Sequence, residues 1–226
     1  MKLSVLIPVY NEEKTIGRVV ELLLKAKVAH EIIIIDDGST DGTTAILKNL
    51  KNKKIRVFHK ENGGKGSALR LGLEKVTGDY ILVQDADLEY HPEDIQLLID
   101  PIENRGVQVV YGSRFIGGHS NLLYWHLVGN KFLNFLVNIL YDTTISDMET
   151  CYKLIPTQIM KELGLQANAF DIEPEITCKI LRKGIRIYEV PISYVGRDFS
   201  EGKKISWKDG VGAVGTIIKW RVMPIG

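Results

Sequence analysis

Acidic residues at alternate positions follow a short apolar segment near the middle of the chain. Residues 80–83 are apolar, and Asp85, Asp87 and Glu89 come directly after them. Carboxylates beside a buried strand cost free energy unless a cation or hydrogen-bond donors pair with them. Because side chains at i and i+2 of an extended segment point the same way, Asp85 and Asp87 form part of a cage of oxygen atoms. Mg²⁺ and Mn²⁺ prefer oxygen ligands and leave positions for phosphate, so we predict a divalent-metal site here. A solvated acidic turn is the alternative.

The elements that position these acids alternate regularly along the first half of the chain. Strands are predicted at 3–8, 31–37, 55–60, 80–85 and 107–114, and helices at 11–26, 44–50, 67–76 and 92–102. We expect Asn11 to cap the first helix. The alternation predicts an α/β fold with a mostly parallel, Rossmann-like, doubly wound sheet flanked by helices. The part from about residue 117 is less regular and is expected to decorate the same domain.

Ligands of such sheets bind outside the carboxyl ends of the strands. The loops that follow four of the predicted strands carry polar residues at 8–10, 36–37, 85–87 and 112–114. We therefore expect these four loops to converge on one rim of the sheet.

A glycine-rich loop, ENGGKGSA at 61–68, opens the third predicted helix. Its backbone N–H groups can face an anion, and Lys65 is placed to neutralise a diphosphate. The spacing differs from the phosphate-binding loop of nucleotide hydrolases, and a plain tight turn is the alternative. The first strand is not followed by Gly-x-Gly-x-x-Gly, which argues against a nicotinamide-dependent dehydrogenase.

Composition is that of one soluble globular domain. The chain has 226 residues, 45% hydrophobic and 25% charged, with a net charge of +1, which argues against a nucleic-acid-binding protein. Cys151 and Cys178 are predicted to be reduced thiols in a cytosolic protein. There is no signal-peptide pattern, and no apolar run reaches the roughly 18 residues that span a bilayer. We expect a cytoplasmic protein, with peripheral contact with the cytoplasmic face of the membrane left open.

Five segments in order resemble the family 2 glycosyltransferases with the GT-A fold: SVLIPVYNEE, IIIIDDGSTDGT, NGGKGSALRLGL, GDYILVQDADLEYHPED and YGSRF. Four later segments are similar to the polyprenyl-phosphate branch, which includes dolichol-phosphate mannosyltransferases and undecaprenyl-phosphate glucosyltransferase-like proteins: SDMETCYKLI, FDIEPEIT, EVPISYVGR and EGKKISWKDG. The resemblance implies one GT-A domain over 1–226. Its first part, 1–116, would bind the nucleotide sugar, and 117–226 would bind the acceptor.

The resemblance also implies roles for individual residues. The base and ribose would be bound by Pro8, Tyr10, Glu12 and Asp37. The metal and diphosphate would be bound by Asp85, Ala86 and Asp87, with Glu89 where relatives often place Gln. Arg114 would hold the acceptor phosphate or the donor diphosphate, and Arg197 and Lys204 belong to a basic loop that closes over the nucleotide.

The implied reaction is inverting transfer of a hexose from a GDP- or UDP-linked sugar to a polyprenyl phosphate, with Mg²⁺ or Mn²⁺. The cation, Lys65 and the basic loop would stabilise the leaving diphosphate. A phosphate monoester is largely dianionic at neutral pH and can attack without a base, in which case Arg114, Lys131 and Arg197 matter most. A saccharide hydroxyl would need a general base.

Three carboxylates are candidates for the base or for stabilising an oxocarbenium-like state, namely Asp147, Glu149 and Glu173. An ion pair with a nearby Lys or Arg is the alternative for each. Three other functions stay open: transfer to a saccharide hydroxyl, a nucleotide-sugar-binding module without turnover, and a nucleotidyltransferase.

Residues 122–141 are mostly apolar but carry polar residues every four positions, at His126, Asn130, Asn134 and Asn138. As a helix, this segment has a narrow polar stripe on a wide apolar surface. It is either a core or oligomer-interface helix or an amphipathic helix in the bilayer surface. The C-terminal segment 205–222, which includes Trp220, is a second candidate for membrane contact.

Overall fold

The computed structural model describes residues 1–117, 123–197 and 207–224. Seven strands are present: β1 (Leu3–Val9), β2 (Glu31–Asp36), β3 (Ile55–His59), β4 (Tyr80–Val83), β5 (Val109–Ser113), β6 (Lys153–Pro156) and β7 (Ile187–Pro191). The α-helices are α1 (Ile16–Ala26), α2 (Thr43–Lys48), α3 (Lys65–Lys75), α4 (Ile95–Arg105), α5 (Tyr124–Tyr141), α6 (Thr157–Glu162), α7 (Ile172–Arg182) and α8 (Trp207–Val222). A short 3₁₀ turn, Pro92–Asp94, precedes α4.

The strands form one sheet in the order β3-β2-β1-β4-β6-β5-β7. All pairings are parallel except those of β6, which runs antiparallel to both β4 and β5. The five predicted strands and the mostly parallel α/β sheet are confirmed. The expectation that the part after residue 117 only decorates the domain was wrong, because β6 and β7 are strands of the sheet. Both are short and end in proline, so neither shows a long apolar run.

The neighbouring strands β1 and β2 are covered by other elements of the fold. Ile32, Ile33, Ile34 and Ile35 of β2 are all fully buried, so both faces of this strand are covered. On one face, Gly72 lets α3 approach β1 closely, since a Cβ there would lie 2.2 Å from Leu6 Cδ1. A second apolar cluster joins α5, α7 and α8, with Val137, Cys178 and Ile217 at its centre.

The loop between β1 and α1 differs from the prediction. Helix α1 begins at Ile16 after Thr15, so the prediction of Asn11 as its cap was wrong. Asn11 has a positive φ of 51° and instead links the end of β1 to the loop after β2. Its backbone N–H donates to Ser39 Oγ at 3.0 Å, and its Oδ1 accepts from the Thr40 N–H at 2.7 Å. The residues that seemed to start a helix therefore join two loops of the rim.

The antiparallel strand β6 preserves the rim predicted from the sequence. Since β6 opposes both neighbours, β5 runs in the same direction as β4, and the carboxyl ends of β1, β2, β4 and β5 lie at one edge. Within the described ranges, no helix is both long and apolar enough to cross a bilayer. Cys151 and Cys178 are free and buried.

Candidate active site

Asp37 lies at the end of β2 and organises the glycine-rich loop. Its carboxylate accepts from Lys60 Nζ at 2.6 Å and from the backbone N–H groups of Gly63 and Gly64 at 3.0 and 2.8 Å. Gly64 has a φ of 91°, and a Cβ there would lie 2.4 Å from the carbonyl oxygen of Asn168. The loop is thus held from both sides, which sets the position of Lys65. The base- or ribose-binding role of Asp37 stays a prediction.

Asp85, Ala86 and Asp87 follow β4 at the centre of the rim. Ala86, between the two acids, is buried. Burial raises the pKa of Asp87 to about 7, and the carboxylates of Asp85 and Glu89 act in the same direction. The site therefore has an excess of negative charge that a cation would relieve. Two carboxylates with phosphate oxygens are a ligand set that Mg²⁺ accepts, so the residues present fit a divalent cation.

The Glu89 carboxylate is hydrogen-bonded to the segment 194–197 and does not form a common metal-binding group with Asp85 and Asp87. Its Oε2 accepts from the Tyr194 hydroxyl at 2.6 Å, and its Oε1 accepts from the Arg197 backbone N–H at 2.7 Å. In the described part of the chain, no three acidic, His or Cys side chains are arranged to hold one ion. No local pattern indicated that Glu89 would anchor the segment 194–197. A metal-binding role for Glu89 stays a prediction.

Arg197 connects two loops that the sequence places far apart. Its Nη1 lies 3.1 Å from Glu12 Oε2, and its Nη2 donates to the backbone carbonyl of Asp87. The predicted basic segment is thus already folded over the rim at Arg197. Lys204, its predicted partner, lies outside the described residues. Tyr10 is exposed on the same rim and Pro8 is half-buried.

Lys65 pairs with Asp85 and also with a residue from the second half of the chain. Its Nζ is 2.8 Å from Asp85 Oδ1 and 3.1 Å from Glu173 Oε1. The other oxygen of Glu173 pairs with Lys153, whose side chain is 1% exposed. Glu173 was a candidate base, but the structure shows it as a partner of two lysines. Sequence reasoning missed Lys153, because a lysine in a short segment of this kind is normally expected to be solvated.

Arg114 and Asp147 form a bidentate ion pair. Arg114 Nε donates to Asp147 Oδ2 and Nη2 donates to Oδ1, both at 2.8 Å, and the Arg114 backbone N–H donates to Oδ2 at 2.9 Å. Asp147 is fully buried. The structure therefore shows the ion-pair alternative for Asp147, and its role as a base stays a prediction. Hydrogen bonds from the guanidinium to described residues come from Nε and Nη2.

Glu149 lies in the same loop between Asp147 and β6. Burial raises its pKa to about 7; the positive charge of Lys153 opposes this rise, while Glu173 adds to it. Its Oε1 is buried and makes no hydrogen bond to the described residues. Among the described residues, no Lys or Arg forms an ion pair with Glu149. The nearby carboxylates of Asp147 and Glu173, in contrast, are both paired with cations.

The polar stripe of α5 faces the protein. Asn134 accepts from the Met148 N–H at 2.9 Å and also donates to the Ser146 carbonyl, and Asn138 donates to the Ile145 carbonyl at 2.9 Å. Asn130 Oδ1 lies 3.5 Å from Arg114 Nη2. The asparagines thus support the loop that carries Asp147.

The opposite face of α5 is exposed and strongly apolar. Its exposed large apolar side chains are Tyr124, Trp125, Val128, Phe132, Phe135 and Ile139. Lys131, between Val128 and Phe135 along the helix, is also exposed. Trp125 is 77% exposed and Phe135 is 60% exposed. Exposed aromatic residues on this scale mark an interaction surface rather than an ordinary solvated helix.

Comparison with known proteins identifies the family. A family model described as "Glycosyl transferase family 2" matches residues 4–164. The chain is 31% identical over 217 residues to UDP-N-acetylglucosamine–dolichyl-phosphate N-acetylglucosaminyltransferase of Methanococcus voltae, covering 86% of each chain. It is 24% identical over 211 residues to dodecaprenyl-phosphate galacturonate synthase of Rhizobium johnstonii, covering 90% of this chain and 62% of that protein. Both names contain a polyprenyl phosphate, which confirms the predicted resemblance to that branch.

A solved structure with a similar fold is glucosyl-3-phosphoglycerate synthase from Mycobacterium tuberculosis, crystallised with Mn²⁺, UDP and phosphoglyceric acid. It is 20% identical, with a TM-score of 0.77, over 99% of this chain and 79% of that one. This likeness establishes the fold. Together with the family match, it shows that the chain belongs to glycosyltransferase family 2 and is a glycosyltransferase with the GT-A fold.

Proposed function

We propose that the protein transfers a hexose unit, with inversion, from a nucleotide sugar to a polyprenyl phosphate at the cytoplasmic face of the membrane. We propose a UDP-linked sugar as the donor in preference to a GDP-linked one. Support comes from the Methanococcus voltae relative, whose name specifies UDP-N-acetylglucosamine and a dolichyl phosphate. The Rhizobium johnstonii relative is also named for a polyprenyl phosphate but for a different sugar, so the sugar is the least constrained part of the proposal.

On the donor side, Asp85 and Asp87 would hold Mg²⁺ or Mn²⁺, which when bound supplies positive charge against the leaving diphosphate. Lys65, beside Asp85, would hold a second face of the diphosphate. Arg197 already reaches from Glu12 to the Asp87 carbonyl, so it is placed to close the nucleotide site. These fixed cations lie where negative charge develops, which is the usual source of catalysis in group transfer.

The observation that carries the acceptor assignment is the contact between Arg114 and α5. Arg114 Nη2 lies 3.5 Å from Asn130 Oδ1, on the inner side of the helix whose outer side is aromatic. A cation for a phosphate group thus adjoins a surface suited to lipid. Because Asp147 is committed to Arg114, the arrangement also favours an acceptor that attacks without a base, as a phosphate dianion does.

The exposed face of α5 would lie in the membrane surface. Aromatic and aliphatic side chains there would enter the boundary between headgroups and acyl chains, and Arg114 would sit at headgroup depth. The test is flotation with vesicles that contain anionic lipid. We expect the protein to float, and a Trp125→Ser/Phe135→Ser variant to stay in the soluble fraction.

Leu97→Ser provides the matched control for flotation, since Leu97 is an exposed apolar residue of α4 outside this face. It should float like the unchanged protein. Recovery of the unchanged protein entirely in the soluble fraction would count against surface binding. Flotation of all three proteins alike would assign the binding to another surface.

The transfer itself is tested with radiolabelled UDP-glucose, UDP-N-acetylglucosamine and GDP-mannose against a short polyprenyl phosphate, with Mg²⁺ or Mn²⁺. We expect label in the lipid extract from a UDP-linked donor, dependent on the phosphate group of the acceptor. The free polyprenol and an oligosaccharide are the controls. Transfer to the oligosaccharide but not to the polyprenyl phosphate would establish the alternative, a saccharide hydroxyl acceptor.

A further inference from the structure

Four side chains of alternating charge run from the rim into the core. Asp85 pairs with Lys65 at 2.8 Å, Lys65 with Glu173 at 3.1 Å, and Glu173 with Lys153. The exposed fractions of these side chains fall along the series, from 23% at Asp85 to 11%, 5% and 1% at Lys153. A carboxylate that we assign to a divalent cation is therefore already paired with an ammonium group.

Both ends of Lys65 are held in place. Its backbone is the first residue of α3, directly after Gly64, and the Ser67 N–H donates to the Asn168 carbonyl at 3.1 Å. Its ammonium group lies between the carboxylates of Asp85 and Glu173, and Glu173 lies in the first turn of α7. Lys65 is therefore a largely buried charge that two carboxylates share, and not a freely solvated lysine.

The positive charge of Lys65 has opposite effects on the binding of a divalent cation and of a nucleoside diphosphate. An ammonium group that contacts Asp85 repels a divalent cation approaching the same carboxylate and takes one of its oxygen atoms. A nucleoside diphosphate attracts both the ammonium group and the cation. Its binding would draw Lys65 from Asp85 and leave that oxygen to the cation.

We propose that Lys65 is a positioning residue that opposes cation binding at Asp85 in the free protein, so that the cation binds well only together with a nucleoside diphosphate. This inference rests on the proposed function for the identity of the diphosphate. Glu173 partly offsets this effect, because it offers Lys65 a second carboxylate besides Asp85. By reciprocity, the factor by which the diphosphate tightens cation binding equals the factor by which the cation tightens diphosphate binding.

The experiment is calorimetric titration of Mn²⁺ into the full chain, with and without saturating UDP. We expect UDP to tighten Mn²⁺ binding by at least roughly tenfold, within the usual range of coupling between sites. Lys65→Met should bind Mn²⁺ without UDP several-fold more tightly than the unchanged protein, and the gain from UDP should shrink. Lys65→Arg keeps the charge and should retain the coupling.

Two further variants separate this role from general damage. Lys75→Met removes the same charge from the other end of α3 and should leave Mn²⁺ binding unchanged. Glu173→Gln leaves Asp85 as the carboxylate partner of Lys65 and should weaken Mn²⁺ binding without UDP, opposite to Lys65→Met. A damaged site would weaken binding in both variants.

Unchanged or weaker Mn²⁺ binding by Lys65→Met without UDP overturns the inference. If the unchanged protein also transfers sugar to the polyprenyl phosphate, the proposed function survives that result. A protein that neither binds UDP nor transfers sugar overturns the proposed function instead.

Discussion

Arg114 and Lys65 are cations of the same rim with nearly equal burial, and they are held in different ways. Arg114 has one carboxylate partner, Asp147, which is fully buried and uses both oxygens on it. Lys65 has two partners, and one of them, Asp85, reaches the surface of the rim. A cation with one buried partner is fixed in place, whereas a shared cation can give up one partner to a ligand. The first arrangement suits a permanent phosphate clamp and the second an exchange of charge during donor binding.

The largest effect is expected from breaking the Arg114 pair. Asp147→Ala leaves a guanidinium that is only 12% exposed without its carboxylate, and should lower the free energy of unfolding by about 3–5 kcal/mol. Urea unfolding measures this loss. The double variant Arg114→Met/Asp147→Met removes both charges and should lose much less. A single-variant loss below about 1 kcal/mol would contradict a fixed pair.

A smaller loss is expected where the cation is shared. Glu173→Gln leaves Lys153 buried without a charged partner, although Lys65 keeps Asp85, and should cost about 2–3 kcal/mol. Glu162→Gln is the control, because Glu162 is half-exposed and lies 3.6 Å from Lys183 on the surface. Equal losses in the two variants would show that burial of the Lys153–Glu173 pair adds nothing to its contribution to stability.

Glu149 lies near both the Arg114–Asp147 and the Lys153–Glu173 pairs, and a variant tests whether its buried carboxylate lacks a partner. Burial raises its pKa from 4.5 to about 7, so the folded protein keeps a proton that the unfolded chain releases across this interval. Its contribution to stability is complete below about pH 4.5 and is lost as the pH rises through about 7. Glu149→Gln should therefore flatten the fall in the free energy of unfolding over this range. Urea unfolding at several pH values measures it, and identical profiles would contradict the buried acid.

The smallest effect is expected at an exposed pair far from the rim. Arg18 and Glu21 lie 2.6 Å apart on α1, and their side chains are 50% and 48% exposed. Arg18→Ala should leave the free energy of unfolding nearly unchanged, because water screens the pair. A loss in urea unfolding as large as that of Glu173→Gln would show that distance alone, without burial, decides the strength of these pairs.

The first half of the fold was predictable from local patterns. Strands β1, β2 and β4 are apolar runs that end in polar loops, and parallel strands bring their carboxyl ends to one edge. Strands β6 and β7 were not assigned to the sheet, because their pairing depends on a neighbour far away in the chain. The cap predicted at Asn11 failed for a similar reason: its partners, Ser39 and Thr40, come from another loop.

The charged residues show the same contrast between what local patterns predict and what depends on distant parts of the chain. The pair Asp85 and Asp87 stood out because both follow one strand, which needs no knowledge of the rest of the fold. The partners of the charged residues at this rim come from distant segments, such as Glu173 as the ion-pair partner of Lys65 and Tyr194 as a hydrogen-bond donor to Glu89. For α5, the stripe of asparagines was visible in the sequence, but it was consistent both with a core or oligomer-interface helix and with an amphipathic helix in the bilayer surface.

Residue order alone thus predicted the family, the direction of the strands and the edge where we expect the donor to bind, since these depend on neighbours in sequence. Folding decided which acids are paired and which keep an excess of charge, and which side of α5 faces solvent. Those properties depend on burial and on distances of a few ångströms between residues far apart in the chain, and no local pattern contains that information.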